Sequence, residues 1–363
     1  MLDQSIAVLG GGNAGHAMAA DLTLAGYRVN FYEHHSFKAS FRTTLEGGVV
    51  ELGGVGRQGT AQIHKVTLDM EEAIANVKLI NMCVPAIGHE AFFAELVSHL
   101  QDGQVVVLWS AQLGSLRLYK LLRDKSPQKK VTIYETNTMA YGARLTEPAR
   151  VWCMIMPCFV TISALPAKDT PIALPQLREL FPMLNPVQNV LAVGLSNLNP
   201  ICHPAALILN VGRIQYSKGD FHVYREGITE AVARVIHIVH DEAAAIGQVL
   251  KIEVLRYEER DFNNPTSIIG AVFQAPFDTQ NAIGSIVGPA SIQSRYITED
   301  LAYGLVPMAQ LGKKLGVATP VMDGLIDLGS AVCQQDFWKT GRTLESLGLA
   351  EMSKEKILEL VEN

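Results

Sequence analysis

A chain of 363 residues exceeds the roughly 250–300 residues at which single hydrophobic cores stop growing, so two domains are expected. With 48% hydrophobic and 18% charged residues, it has ample material to bury, which speaks against disorder. A formal net charge of −6 speaks against a nucleic-acid partner, which would need a basic face to neutralise phosphates.

The N-terminal stretch "MLDQSIAVLGGG" carries an acid and no basic segment, so no signal peptide is expected there. Within it, "SIAVLG" is a short apolar run that suits a strand buried on both faces. The Ala-rich "AGHAMAADLTLAG" reads as a helix stopped by Gly26, and "YRVNFYE" reads as the next strand. A glycine-rich excursion over residues 46–68 looks antiparallel. Further strands are expected at 77–85, 103–110 and 130–136, with helices at "IGHEAFFAELVSHL" and "LGSLRLYKLLRD" between them. That alternation predicts a mostly parallel, doubly wound α/β sheet, which the runs between 150 and 167 either extend or leave by a crossover. Beyond about residue 185 the signals are helical, with long helices at 228–250 and 319–335. The domains expected are therefore residues 1–185, a dinucleotide-binding sheet domain, and residues 186–363, an all-α C-terminal domain for substrate and catalysis.

Gly10-Gly11-Gly12-Asn13-Ala14-Gly15 satisfies GxGxxG, and it follows a strand and opens a helix. Gly10 permits the tight turn, Gly12 admits a pyrophosphate close to the backbone, and Gly15 lets helix and strand pack. Asn13 and Ala14 complete the cradle at the helix N-terminus, whose partial positive charge attracts phosphate. Glu33 lies 18 residues after Gly15, where an acid accepts hydrogen bonds from the adenosine ribose. This favours NAD, while His34, His35, Lys38 and Arg42 nearby keep NADP open. Pro85 ends a strand at the carboxyl edge, where such sheets hold ligands. His16 is read two ways, as a donor to the cofactor or as part of the first helical turn.

Five cysteines, Cys83, Cys153, Cys158, Cys202 and Cys333, form no CxxC pair and no even set. Free thiols in a reducing compartment, the cytoplasm, are expected. From Leu180 to Gly212 the chain contains no Asp, Glu, Lys or Arg. The prolines and asparagines of that run argue for a buried interior over a lipid-facing helix.

Within this run "SNLNPICHP" places His203 between two prolines, either as a hydrogen-bonded core residue or as a proton carrier. The segment "SRYITEDLAYGLVP" supplies Asp300, which can hold one ring nitrogen so that the other faces substrate, and Arg295, which can grip a carboxylate. Positions five apart lie about 140° around an ideal helix, so Arg295 is expected at the helix entrance; the plainer reading of this block is a solvated helix face. Cys202 adjoins His203 and is expected to be a small buried thiol. In "HIVHDE", His237 and His240 are spaced i,i+3 beside Asp241, a spacing that can begin a metal site. No partner motif stands elsewhere, so a helix face and no metal are expected.

Together, "GGGNAGHAMAADL", "SNLNPICHP", "YREGIT", "SRYITEDLAYGLVP" and "GRTLESLGL" resemble the NAD(P)-dependent opine dehydrogenases over nearly the whole chain. The resemblance implies a Rossmann domain followed by a helical domain, with the active site in the cleft between them. It implies NADH-dependent reductive joining of an amino acid's amino group to a 2-oxo acid such as pyruvate, through an imine. It places the family's catalytic histidine on His203, its supporting aspartate on Asp300 and a substrate-binding arginine on Arg295, with Asn199 one turn before the histidine lining the pocket. His222, Tyr224 and Arg225 are candidates for the amino-acid side, and a homodimer is left open. The alternatives are a ketopantoate-type or 3-hydroxyacid dehydrogenase that uses no amine, and a non-catalytic NAD-sensing protein.

Overall fold

The computed structural model describes residues 5–257 and 287–363. The first four residues of the N-terminal stretch inspected for a signal peptide lie outside the described residues. Two compact units divide the chain, Met1–Pro186 and Val187–Asn363.

The first unit contains β1 (Ser5–Leu9), β2 (Arg28–Tyr32), β3 (Val49–Gly54), β4 (Gly59–Gln62), β5 (Lys65–Thr67) and β6 (Leu79–Met82). It continues with β7 (Val105–Leu108), β8 (Thr132–Thr136), β9 (Gly142–Glu147), β10 (Arg150–Ile155), β11 (Val160–Leu165) and β12 (Leu184–Pro186). Its helices are α1 (Asn13–Leu24), α2 (Lys38–Gly47), α3 (Met70–Ile74), α4 (His89–His99), α5 (Gly114–Lys125) and α6 (Leu174–Leu180).

Strand β1 explains why the main sheet is covered on both faces. Ile6 and Val8 join a buried cluster with Ala17, Met18 and Leu22 of α1, while Ala7 and Leu9 join another with Phe92 and Leu96 of α4. Successive side chains of a strand point to opposite faces, so a continuous apolar run feeds two cores at once. The sheet runs β12-β11-β8-β7-β6-β1-β2-β5. Every neighbouring pair is parallel except β11 and β8.

Of residues 150–167, read as extending this sheet or leaving it by a crossover, only β11 extends it. Strand β10 instead joins a second sheet of order β4-β3-β10-β9, with Arg150 opposite Glu51. Its burial alternates, Val151, Cys153 and Ile155 in and Arg150 and Trp152 out. That is the pattern of a sheet with one solvated face, whereas all six residues of β11 are buried and suit the doubly covered sheet. The antiparallel excursion expected near residues 46–68 is β3 and β4, and this small sheet packs on α1.

Helices of the second unit are α7 (Val190–Leu195), α8 (Leu198–Ile208), α9 (Val211–Ser217), α10 (Glu230–Leu250), α11 (Arg295–Glu299), α12 (Val306–Leu315), α13 (Pro320–Cys333), α14 (Phe337–Thr340) and α15 (Lys354–Glu362). The uncharged run includes α7 and α8, and two of its asparagines serve as caps. Asn189 accepts from the N–H groups of Leu191 and Ala192, and Asn197 from that of Asn199. Val190–Ile208 is long and apolar enough to cross a membrane, yet 94% of it is buried within the protein. Helix α8 packs against α10, α11 and α13, which accounts for that hydropathy.

Candidate active site

Strand β1 delivers the chain to the glycine turn, and Gly10 and Gly15 there each have a steric reason. Gly10 has φ +102°, and a Cβ on it would stand 2.8 Å from the Cys83 carbonyl oxygen. A Cβ on Gly15 would stand 1.7 Å from the Gly10 oxygen, so α1 can start against β1 only with glycine here. At Gly12 a Cβ would meet no described atom within 4 Å, and no side chain caps α1. The first-turn N–H groups of Asn13, Ala14 and Gly15 lack intrahelical partners by helix geometry. The Asn13 side chain is turned aside, its Oδ1 accepting from Leu145 N–H at 2.8 Å. An uncapped helix N-terminus over open space fits a pyrophosphate.

Glu33 lies just past β2, 7% exposed. Its Oε2 accepts from Gly11 N–H at 2.8 Å and its Oε1 from His34 N–H at 2.7 Å. Burial pushes the carboxyl up, and the two N–H groups pull it back. Each oxygen keeps a second lone pair for a hydroxyl donor, so the group fits a ribose. Of the neighbouring basic residues weighed for NADP, three are engaged with other carboxylates: His34 and His35 face Glu95 at 3.2 and 3.8 Å, and Arg42 pairs with Glu46 at 2.7 Å.

His16 belongs to the fold. It is buried, with Nδ1 3.0 Å from the Gly12 oxygen and Nε2 2.8 Å from Thr44 Oγ1. Pro85 is exposed beyond β6 and opens a short 3₁₀ turn over Ala86–Gly88. At the carboxyl edge of β7 the backbone takes a course that no sequence signal announces. Ser110, Gln112 and Leu113 adopt left-handed φ of 54°, 52° and 64°. Non-glycine residues held there cost about 1–3 kcal/mol each and cluster at ligand sites. Buried Glu135 secures this loop, accepting from the N–H groups of Leu113 and Ser115 at 2.6 and 3.0 Å and from the Ser115 hydroxyl.

In the second unit His203, on α8, is 6% exposed. Its Nδ1 lies 2.7 Å from Asp300 Oδ2 and its Nε2 lies 2.9 Å from the Tyr224 hydroxyl. A carboxylate only accepts, so Nδ1 carries the proton and Nε2 accepts from Tyr224. The open Nε2 expected from sequence is therefore occupied: the arrangement is a chain, Tyr224 to His203 to Asp300. Tyr224, foreseen only as pocket lining, touches the imidazole directly.

The local sequence explains this meeting. Helix α11 ends at Glu299, and Asp300 opens a π-helical turn, Asp300–Leu305. A Cβ on Gly304 of that turn would lie 2.3 Å from Pro200 Cβ, so glycine lets the turn close on α8. Pro200 lies one turn before His203 and Gly304 one turn after Asp300, so this contact sets the two side chains opposite each other. Tyr224 sits on a second π-helical turn, Val223–Gly227, tied to the end of α8 by Asn210 Nδ2 donating to the Gly227 oxygen at 2.9 Å. Because of the π turn, the 140° estimate for an unbroken helix does not apply to Arg295 and Asp300.

Arg295 is the first residue of α11. Its side chain is half exposed, 3.8 Å from Glu299, and its guanidinium lies 5.8 Å from the Tyr296 ring centre. That ring meets His203 edge-on at 4.6 Å, so Arg295 is one aromatic ring removed from the imidazole. Asn199 is one helical turn before His203 on α8. Cys202 is buried, and burial pushes its thiol well up, which leaves it a neutral packing group.

A family model for the alpha-helical domain of NAD/NADP octopine/nopaline dehydrogenases matches residues 186–333. A curated opine dehydrogenase of Arthrobacter sp. (strain 1C) is 34% identical, covering 99% of each chain. An octopine dehydrogenase solved with NADH and L-arginine shares the fold at TM-score 0.72 and 20% identity, over 98% of this chain and 97% of that one. An octopine dehydrogenase structure with NADH and pyruvate gives TM-score 0.69 at 18% identity, over 98% of each chain.

Proposed function

The chain belongs to the opine dehydrogenase family, and from that premise we propose that it catalyses the NADH-dependent condensation of an amino acid with a 2-oxo acid such as pyruvate. The product is an N-(carboxyalkyl)amino acid. The observation that carries the reading is the hydrogen-bonded chain of Tyr224 with the buried His203 and Asp300. The solved relatives with L-arginine and with pyruvate support the substrate class.

Every step of such a condensation before hydride transfer moves a proton. His203 Nε2 takes one from the substrate ammonium, freeing the amine to attack the oxo carbon. The imidazolium, stabilised by Asp300, returns it to the carbinolamine hydroxyl, which leaves as water while the nitrogen lone pair forms the C=N bond of the protonated imine. NADH, when bound, supplies the hydride that the imine carbon accepts. Arg295 holds a substrate carboxylate and so orients that carbon. Tyr224 hands Nε2 over to substrate, and its hydroxyl lines the amine side of the pocket with Asn199. The five cysteines stand outside any disulfide, and a cytoplasmic location is the reading we attach to them.

For cofactor choice we favour NADH over NADPH, since the Glu33 carboxylate would repel a 2'-phosphate and His34, His35 and Arg42 are engaged elsewhere. Hydrogen bonds to a charged group contribute about 1.5–3 kcal/mol, so Glu33→Ala lowers discrimination for NADH by roughly tenfold or more. Measured dissociation constants for both dinucleotides check this, and unchanged discrimination would remove Glu33 from the ribose site. The rival keto-acid dehydrogenase is tested by NADH oxidation with pyruvate, with and without a panel of amino acids. Turnover that ignores every amine would end the opine reading.

A further inference from the structure

We propose that His237, His240 and Asp241 on α10 form a site for a divalent transition metal of the zinc class. One donor atom from each residue lies within 4.8 Å of the others. His237 Nδ1 is 3.4 Å from Asp241 Oδ2, and His240 Nδ1 is 3.7 Å from Asp241 Oδ1. Spacings of three and four residues put His237 on one helix face with both partners.

His240 distinguishes this cluster from a solvated face. Its side chain is 4% exposed, and its Nε2 lies 3.0 Å from the Leu255 carbonyl oxygen. A carbonyl only accepts, so Nε2 carries the proton and Nδ1 presents a lone pair. That Nδ1 is buried and has no hydrogen-bond partner among the described residues, although buried polar atoms are normally satisfied. Moreover, the lone pair faces a carboxylate, a repulsive pairing unless a cation lies between them. A metal ion resolves the conflict, accepting the lone pair and the carboxylate together.

The outer arrangement agrees with this assignment. Histidine ligands of metals usually donate their other N–H to a carbonyl or carboxylate, which fixes tautomer and ring orientation. Here the Leu255 carbonyl has that role, and the Tyr257 ring packs edge-on at 5.5 Å. His237 and Asp241, with side chains 31% and 61% exposed, give the ion a way in. Metal–ligand distances of about 2.0–2.2 Å require the three donors to draw slightly closer, which the two exposed side chains can do. Two imidazoles and a carboxylate suit zinc, cobalt or nickel and leave a fourth position to water. A three-ligand site needs no partner motif elsewhere in the chain, the absence of which favoured a plain helix face from sequence.

The experiment takes the full-length protein, strips it with a chelator and titrates it with cobalt(II) chloride, followed by d–d absorption, and then with zinc chloride in competition. Expected is one equivalent of cobalt displaced by zinc, with binding weakened tenfold or more in Asp241→Asn and in His237→Ala. The unfolding midpoint of the wild type should rise by a few degrees with zinc, as binding to the folded state alone requires. His240→Ala can fail to fold, so the two exposed positions carry the test, with circular dichroism confirming that each variant folds. His35→Ala, in the other imidazole-carboxylate cluster, should leave the titration unchanged. No binding, unchanged binding in both α10 variants, or loss of the signal in His35→Ala would each overturn the proposal.

Discussion

His203→Ala lowers kcat by roughly 10²–10⁴-fold, the range general acid–base groups contribute, while NADH affinity stays within a few-fold. The separation follows from where the parts lie in the sequence. The turn proposed to hold the dinucleotide, Gly10 to Gly15 with Glu33 after it, lies in the first unit, and His203 belongs to α8 in the second. The variant also leaves Asp300 buried without its imidazole partner. Removing one member of a buried pair destabilises by about 3–5 kcal/mol, so the unfolding midpoint falls as well. Stopped-flow turnover and NADH fluorescence titration on the same folded sample separate the two effects. If NADH binding disappears together with turnover, His203 is a structural residue and the proton-carrier reading is wrong.

Asp300→Asn removes almost no volume yet should cost as much activity, about 10²–10⁴-fold in kcat. An amide can donate where a carboxylate cannot. Once the introduced amide nitrogen donates to Nδ1, the imidazole proton moves to Nε2, and the atom that should accept the substrate's proton becomes a donor. The carboxylate that stabilises the imidazolium is lost at the same time. The expected signature is a fall in kcat with a changed pH profile and little change in the KM for the oxo acid. A fall confined to kcat/KM through a raised KM would make Asp300 a binding group, and wild-type kinetics would remove it from the mechanism.

Much of the first unit was legible in the sequence because its signals are local. The apolar run of β1, the glycine turn and the acid after β2 sit within 29 consecutive residues, Ser5 to Glu33, and each carries its own steric or electrostatic reason. The second sheet was not legible, because β3 and β10 pair Glu51 with Arg150 across about a hundred residues, and periodicity within a window cannot see a partner so distant. Only the half-buried alternation of β10 hinted that it belonged elsewhere. The left-handed loop at Ser110 to Leu113 was silent for a different reason: no glycine or asparagine marks its strained positions, and the buried carboxylate that secures it comes from β8.

In the second unit the residue types were legible and their partnership was not. His203 and Asp300 lie 97 positions apart, and the physical cause of their meeting is the missing side chain of Gly304 against Pro200. Both residues stand in the quoted motifs, yet neither announces that role. Tyr224 entered from sequence as a pocket residue, because its π-helical turn breaks the i,i+4 geometry by which helical faces are read. The same difficulty made an ideal-helix angle inapplicable to Arg295 and Asp300. The lone pair of His240 was invisible as well, since the spacing shows two histidines on a helix but not which nitrogen a distant carbonyl claims.

On the proposed reading this enzyme makes a carbon–nitrogen bond and reduces it. The decisive experiment supplies pyruvate, an ¹⁵N-labelled amino acid mixture and NADH deuterated at the transferable position, and analyses the products by mass spectrometry. Expected is one product class holding the ¹⁵N label and a single deuterium in the same molecule, formed only when all three substrates are present. Deuterium appearing instead in a 2-hydroxy acid, at a rate independent of the amino acids, would refute it.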